Sequence, residues 1–442
     1  MNFSIDRQTL DELNLLGKFR QGSVYHLFNR VKTRGGERLL DAMFQHPLTD
    51  RNAINERSGI FSYFQKAALV FPFDVQQLNL MQEFLDAGYG STGIGVFSTT
   101  YFRKVLSALT RDERHRKNIQ GIQAVIVTLN KCASFLEIMP GTGGLFGEKM
   151  NAIRRVLGGT QLEKLCQMDI YKDLPLRLMA QYNHLLKNKL ANELEEVIQF
   201  IHELDVYIAV SEVAERAGFT YASAEDPALN FLEGEELRHP CLQGAIGNDL
   251  RMDQNSNVIF LTGANMAGKS TLMKSIGINL YLAHMGFPVA AGKFSFSVRD
   301  GMYSSINVAD NIGLGYSHFY AEVVRVKQAA EAAASGKRLM LMFDELFKGT
   351  NVKDAYDGTL AVTEGFAEYQ DCLFIVSTHI IEVGEALKGT DNIQFVFMPT
   401  IMDGLHPTYT YRLAQGITED RQGMMIIRNE GILELIAATP VN

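Results

Sequence analysis

Gly263 and Gly268 bracket Ala264, Asn265, Met266 and Ala267, and are followed by Lys269, Ser270 and Thr271. That spacing is the G-x-x-x-x-G-K-[ST] pattern of a phosphate-binding loop, or P-loop. The glycines let the backbone wrap so that its N–H groups point inward at phosphate oxygens. A helix that follows adds unpaired N–H groups and a partial positive charge. In such a loop Lys269 reaches the β- and γ-phosphates of a nucleotide, and the Ser270 hydroxyl ligates Mg²⁺. A chance glycine turn is the competing reading. A short apolar run before the loop, Val258 to Leu261, and a helical pattern after it, from Lys269 to about Met285, weigh against chance.

Two further segments carry groups that suit the same chemistry. Leu339 to Phe343 is an apolar run that ends in Asp344 and Glu345. Asp344 is placed to hold the Mg²⁺ shell through Ser270 and water, and Glu345 to position or deprotonate an attacking water. Leu373 to Ser377 is a third apolar run, and it ends in Thr378 and His379. His379 at that edge is either a structural histidine or a group that senses the γ-phosphate or the attacking water, and the second role is favoured. Between loop and acidic pair lies Asp310 to Glu322, a glycine-flexed turn with Ser317 ahead of a helix running to about Ala334. Ser317 reads as a helix cap. It is either an ordinary cap or an anion-binding helix end that completes a nucleotide site on another subunit.

These groups need a sheet to bring them together. From about Gly218 onward, short apolar runs (Val258–Leu261, Leu339–Phe343, Leu373–Ser377, Gln394–Met398) alternate with helical patterns, which predicts an α/β domain with a mostly parallel sheet. Residues 1–224 read as overwhelmingly helical, with Leu10, Leu13 and Leu16 and then Leu39, Leu40 and Met43 at helical spacing. A helix start follows Pro47, capped by Thr49 or Asp50. A longer pattern from Leu174 to Ala217 predicts a lever or a core helix. Arg103, Lys104, Arg111, Arg114, His115, Arg116 and Lys117 form a basic stretch. Asp112 and Glu113 lie among them, which favours a solvated helix face over a phosphate contact.

Composition narrows the class. With 46% hydrophobic and 21% charged residues, the chain has the make-up of an ordinary globular protein of two or three domains. The four cysteines are far apart with no C-x-x-C pair, so they read as reduced thiols of a cytoplasmic protein. No signal peptide is expected, nor any stretch long and apolar enough to span a bilayer. The net charge of −8 argues against nonspecific coating of nucleic acid. It divides unevenly, +2 over residues 1–224 and −10 over residues 225–442, so nucleic acid, if bound, is expected on the first half.

Taken together, the motifs resemble the MutS family of DNA mismatch-repair ATPases, whose nucleotide domains are ABC-type. Thr262-Gly-Ala-Asn-Met-Ala-Gly-Lys-Ser-Thr271 is similar to the family's T-G-P-N-M-x-G-K-S-T, with Ala264 for the usual Pro and Ala267 for a usual Gly. Asp344 to Thr350 resembles D-E-x-x-x-G-T, and Tyr356-Asp-Gly358 the Y-D-G that follows, after a longer intervening loop. Ser377-Thr-His379 resembles the histidine switch, and Asp310 to Glu322 the segment whose serine reaches the partner's ATP. Arg238-His-Pro240 and, upstream, Leu27 to Leu40 with Gln45 to Arg51 complete the resemblance over nearly the whole chain.

The resemblance implies an α + α/β fold. Residues 1–224 would be a helical core/lever domain and residues 225–442 an ABC-type P-loop ATPase domain. It implies an ATP- and Mg²⁺-dependent homodimer in which Ser317 of one subunit caps ATP held by Gly263–Thr271 of the other. DNA, duplex or branched, would bind through residues 1–224, in repair or recombination with other repair proteins as partners and no membrane. No mismatch-reading or connector domain is expected ahead of the core segment. Phe135-Leu-Glu137 and Phe231-Leu-Glu233 match the wedge pattern out of context, so direct mismatch reading is not expected. The alternative is a nucleotide-gated protein-interaction module that does not bind DNA. A transporter-type or coiled-coil-linked ATPase is disfavoured by the absence of L-S-G-G-Q and of a long heptad array.

Overall fold

The computed structural model describes residues 2–17, 21–86, 103–141, 143–159, 162–164, 181–306, 318–403, 406–418 and 431–437. The chain forms two compact units. One comprises Met1–Asn29, Ala42–Ser62 and Val210–Asn442, the other Arg30–Asp41 and Tyr63–Ala209.

The first unit is built on a six-stranded sheet. Its order is Ala414–Gln415, Ile393–Met398, Val258–Gly263, Leu373–Ser377, Leu339–Asp344, Gly301–Ser305. Every pairing is parallel except that of Ala414–Gln415. The four apolar runs expected as strands all form, within a residue or two of the expected bounds. Such runs can be apolar on both faces because helices cover both sides of a parallel sheet. Helix Lys269–His284 is buried along most of its length. On helix Val352–Ala367, Phe366 stacks between Phe343 and Phe374, with ring centroids 5.3 and 4.9 Å away. That stack locks the two strands carrying Asp344 and Thr378-His379 side by side, with Ser377 directly opposite Asp344.

A second sheet of four strands, in the order Ser223–Glu225, Lys293–Ser297, Leu232–Leu237, Asn248–Met252, belongs to the same unit. It is not among the elements expected from sequence. Leu232–Leu237 reads Leu-Glu-Gly-Glu-Glu-Leu, and its burial alternates only in part. Three glutamates and a glycine mask the period of two that marks a half-buried strand. Helix Arg51–Ala67 starts where expected, and of the two candidate caps it is Asp50 that accepts from the Ala53 N–H, at 2.8 Å.

The second unit is helical, with Val75–Asp86, Arg103–Ile138 and Gly144–Leu157 among its helices. Phe146 packs against Phe64, Phe200 and Tyr207 at ring distances of 5.5 to 6.2 Å. Asp205 is buried and accepts from the backbone N–H groups of Lys32 and Thr33 and from the Thr33 hydroxyl, so its charge is compensated within the unit. Two expectations need correction here. The Leu174–Ala217 pattern is not one helix in its described part. A π-helical turn, Leu185–Lys189, precedes helix Ala191–Ala217, because apolar spacing marks a buried face without fixing the hydrogen-bond register. One segment, Arg116–Ile138, is long and apolar enough to cross a membrane, with 23 residues and a mean hydropathy of 1.2. In this fold 56% of that window is buried inside the protein. Of the basic stretch, only Arg116 and Lys117 have described side chains, and both are exposed.

Candidate functional site

The site is assembled at the carboxyl ends of three adjacent parallel strands, the usual place for ligands in an open α/β sheet. Val258–Gly263 leads into the glycine loop, Leu339–Asp344 ends at the acidic pair, and Leu373–Ser377 ends at Thr378-His379. The loop turns on three left-handed residues, Met266 at φ +71°, Gly263 at +145° and Gly268 at +104°. Met266 is 77% exposed at its tip. Gly268 is the N-cap of helix Lys269–His284, and no side chain caps that helix start. The N–H groups of the first turn are therefore open to an anion.

Lys269 is only 5% exposed. Its Nζ donates to the carbonyl oxygens of Gly263 (2.9 Å) and Ala264 (3.2 Å), folding the side chain back along the loop. Burial lowers the lysine pKa, and the Glu345 and Asp344 carboxylates oppose that shift. Ser270 Oγ donates to Asp344 Oδ2 at 2.5 Å. Asp344 Oδ1 is buried without a hydrogen-bond partner, as is Ser377 Oγ across the strand pair. Burial raises the Asp344 pKa. The hydroxyls of Ser270 and of Ser377, which is close but not in bonding geometry, pull it down, and Glu345 pushes it further up.

Glu345 follows at φ +53°, its N–H donating to the Ser377 carbonyl at 2.8 Å. His379 Nδ1 lies 3.8 Å from Glu345 Oε1, an ion-pair distance rather than a well-formed hydrogen bond. The Glu345 carboxylate raises the histidine pKa against burial, and the histidine lowers that of Glu345. Gly263 to Thr271, Asp344, Glu345 and His379 are thus gathered in one place. Ser317 lies outside the described residues. The helix it precedes does form, as His318–Ala334.

Beside the loop is a cavity of about 530 Å³. The loop forms one wall; Leu237, His239, Leu242, Ile246, Asn248 and Tyr411 form others. Burial lowers the His239 pKa, and Lys274 adds to the effect, so the ring is held towards its neutral form. Apart from His239, which stands in the Arg238-His-Pro240 motif, these residues carry no local sequence signal. Tyr411 reaches the loop from late in the chain, and its carbonyl accepts from the distant Asn248. Chemically, the arrangement pairs a polyanion cradle with a hydroxyl–carboxylate pair for a hard divalent cation, a carboxylate–histidine pair for ordering water, and an apolar, aromatic annex.

Comparison with known proteins finds matches along most of the chain. Residues 8–211 match the family model for MutS domain III, and residues 259–439 that for MutS domain V. The DNA mismatch repair protein MutS of Pseudothermotoga lettingae is 29% identical over 241 residues, 54% of this chain and 29% of that protein. Its namesake from Listeria innocua is 23% identical over 333 residues, 71% of this chain and 38% of the relative. That from Lactococcus lactis subsp. cremoris is 25% identical over 245 residues, 54% and 29% of the two chains. The matched stretches thus span well under half the length of these relatives. With two domain models of one family placed in order along it, the chain belongs to the MutS family.

Proposed function

We propose that the chain binds ATP with Mg²⁺ in this site, hydrolyses it, and uses the cycle as a homodimer to act on DNA in repair or recombination. The observation that carries the reading is the Ser270–Asp344 pair at the mouth of the loop, with one buried carboxylate oxygen left over. A hard cation takes hydroxyl and carboxylate oxygens, and a spare buried lone pair suits it. Ser270 and Asp344 would hold Mg²⁺, which when bound would offset charge on the phosphates. Residues 225–442 would then be the ABC-type nucleotide domain, and residues 1–224 the core/lever part that meets DNA.

The chain's own groups divide the work. Lys269 exchanges its carbonyl partners for phosphate oxygens, helped by the open N–H groups of the helix start. The apolar walls and Tyr411 take the nucleoside and keep water from that side. Glu345 accepts a proton or hydrogen bond from the attacking water, and His379 holds the water or the γ-phosphate in line with it. Ser317 of the second subunit closes the site. The relatives' printed name, DNA mismatch repair protein, supports a repair setting; action in the cytoplasm with other repair proteins is part of the same proposal.

The test is ATP binding by calorimetry together with phosphate release. Wild type should turn over ATP only with Mg²⁺, and Lys269→Ala should not bind it. Hydrolysis by Lys269→Ala at the wild-type rate would overturn the reading. For DNA, fluorescence anisotropy with perfect, mismatched and four-way-junction DNA at two salt concentrations should show nucleotide-dependent, salt-sensitive binding. No binding to any of the three would shift the role to a protein partner. Sedimentation showing a monomer in every nucleotide state would remove the role of Ser317.

A further inference from the structure

The side-chain amide of Asn248 is used at both ends, and both ends go to the same distant segment. Its Nδ2 donates to the Tyr411 carbonyl at 2.9 Å, and its Oδ1 accepts from the Leu413 N–H at 2.7 Å. Asn248 is 7% exposed, opens the strand Asn248–Met252, and lines the cavity. Tyr411 stands at φ +55°, a left-handed conformation that a tyrosine keeps only under restraint. Nearby, Thr410 Oγ1 donates to the Pro399 carbonyl at 3.1 Å, tying down the residue before it. The tyrosine ring is pressed against the phosphate loop, since a methyl group on Gly268 would lie 2.9 Å from its Cδ1. The residue is nevertheless 45% exposed and lines the cavity.

We propose that Asn248 is a positioning residue for the nucleoside half of the ligand, acting through Tyr411. The proposal rests on the nucleotide reading above. An aromatic ring beside a phosphate loop is a stacking platform for a base, and this one lies on a segment with no regular structure of its own. The amide of Asn248 fixes the backbone immediately after the ring's attachment, at the Tyr411 carbonyl and the Leu413 N–H, while Thr410 holds the side before it, so Asn248 helps set where the platform stands. The phosphate half does not depend on it, because the loop holds itself together through Lys269, Gly263 and Ala264. Removing the amide should therefore separate two affinities that a general loss of structure would lower together.

The experiment is calorimetric titration of the full chain with ATP and, separately, with inorganic tripolyphosphate, each with Mg²⁺. Asn248→Ala should weaken ATP binding by about tenfold, the scale of one lost base–aromatic stack, and leave tripolyphosphate unchanged. Tyr411→Ala, at a half-exposed position that keeps the fold, should do the same. The double variant should lose little more than either single one. Asn248→Asp keeps an acceptor for the Leu413 N–H but no donor for the Tyr411 carbonyl, and should fall in between. Thermal unfolding of each variant reports on the fold. Equal weakening towards ATP and tripolyphosphate, or fully additive losses in the double variant, would overturn the positioning role. Wild type binding neither ligand would overturn the nucleotide reading, and the proposal with it.

Discussion

The backbone N–H of Glu345 donates to the Ser377 carbonyl at 2.8 Å, and it does so from a left-handed conformation, φ +53°. A non-glycine residue held there costs about 1 kcal/mol or more and persists only where its surroundings insist. The bond to the neighbouring strand is that insistence, and it aims the carboxylate across at His379. Glu345→Gln keeps the side-chain shape and the backbone bond but cannot take a proton. Turnover should fall about a hundredfold or more, the usual share of a general base, with ATP affinity unchanged. Single-turnover phosphate release, measured alongside ATP titration, separates the two. Hydrolysis at the wild-type rate would remove Glu345 from the water-positioning role.

Gly268 can accept a side chain only if its surroundings shift. It has φ +104°, and a Cβ there would meet Tyr411 Cδ1 at 2.9 Å and Met398 Sδ at 3.4 Å. Gly268→Ala must either push Tyr411 away or reshape the turn that opens the helix N–H groups. Both halves of the ligand are then affected, so ATP and tripolyphosphate binding should fall together. That outcome contrasts with the selective loss expected for Asn248→Ala. Unchanged tripolyphosphate binding in Gly268→Ala would show that the loop tolerates the change and that the turn geometry is not what binds phosphate.

Much of this was legible in sequence wherever a group's role follows from its immediate neighbours. The parallel strands announced themselves as apolar runs, and the chemistry-bearing residues sit at their ends, so Lys269, Ser270, Asp344, Glu345 and His379 converge once the strands lie side by side. What escaped is what tertiary contact decides. The strand Leu232–Leu237 is disguised by its glutamates, and the left-handed turn at Glu345 is imposed by Ser377 on another strand. The cavity walls Asn248 and Tyr411 are joined across most of the C-terminal half of the chain, where no periodicity reaches. The π-helical turn at Leu185–Lys189 sits inside an unbroken apolar pattern, since the pattern reports burial and not hydrogen-bond register.

His284 gives the fold a dependence on pH that is separate from the site. It is fully buried, its Nδ1 2.8 Å from the Leu48 carbonyl, and its Nε2 faces the Arg299 N–H at 3.3 Å. One partner needs a donor and the other an acceptor, which fixes a neutral ring with the proton on Nδ1. Burial, with Arg299 adding to it and the Leu48 bond opposing, pushes the pKa down to about 3. The unfolded chain takes up this proton near the ordinary histidine value, whereas the folded chain does not. Stability is therefore full above about pH 6.5 and falls below it, by up to about 1.4 kcal/mol per pH unit from this group. Urea unfolding between pH 7 and 5 should show that slope, and His284→Gln should flatten it. An unchanged slope in the variant would assign the acid sensitivity to other groups.

The first dozen residues are fastened to the edge of the six-stranded sheet by polar contacts that are costly to break one at a time. Arg325, 4% exposed, pairs with Asp6 through both guanidinium ends. It also donates to Thr9 Oγ1 at 2.8 Å and to the Ser304 carbonyl at 2.7 Å. Glu12 Oε2 accepts from Ser304 Oγ at 2.5 Å and from the Ile306 N–H at 3.0 Å, and Ser4 bridges to Gly301. Removing Asp6 leaves the buried Arg325 charge without its carboxylate. The loss falls below the ~3–5 kcal/mol of a fully buried pair, because Asp6 is one-third exposed and Arg325 keeps its other acceptors. Asp6→Ala should therefore lower the stability of this unit far more than the loss of an exposed ion pair, such as Arg7→Ala beside Asp11, which should change little. Replacing both Asp6 and Arg325 by apolar residues should recover part of the loss, because no charge is then stranded. Denaturant titration of the single and double variants supplies the cycle. Strict additivity would mean that Asp6 and Arg325 act independently and that the N-terminal residues are held by their other contacts.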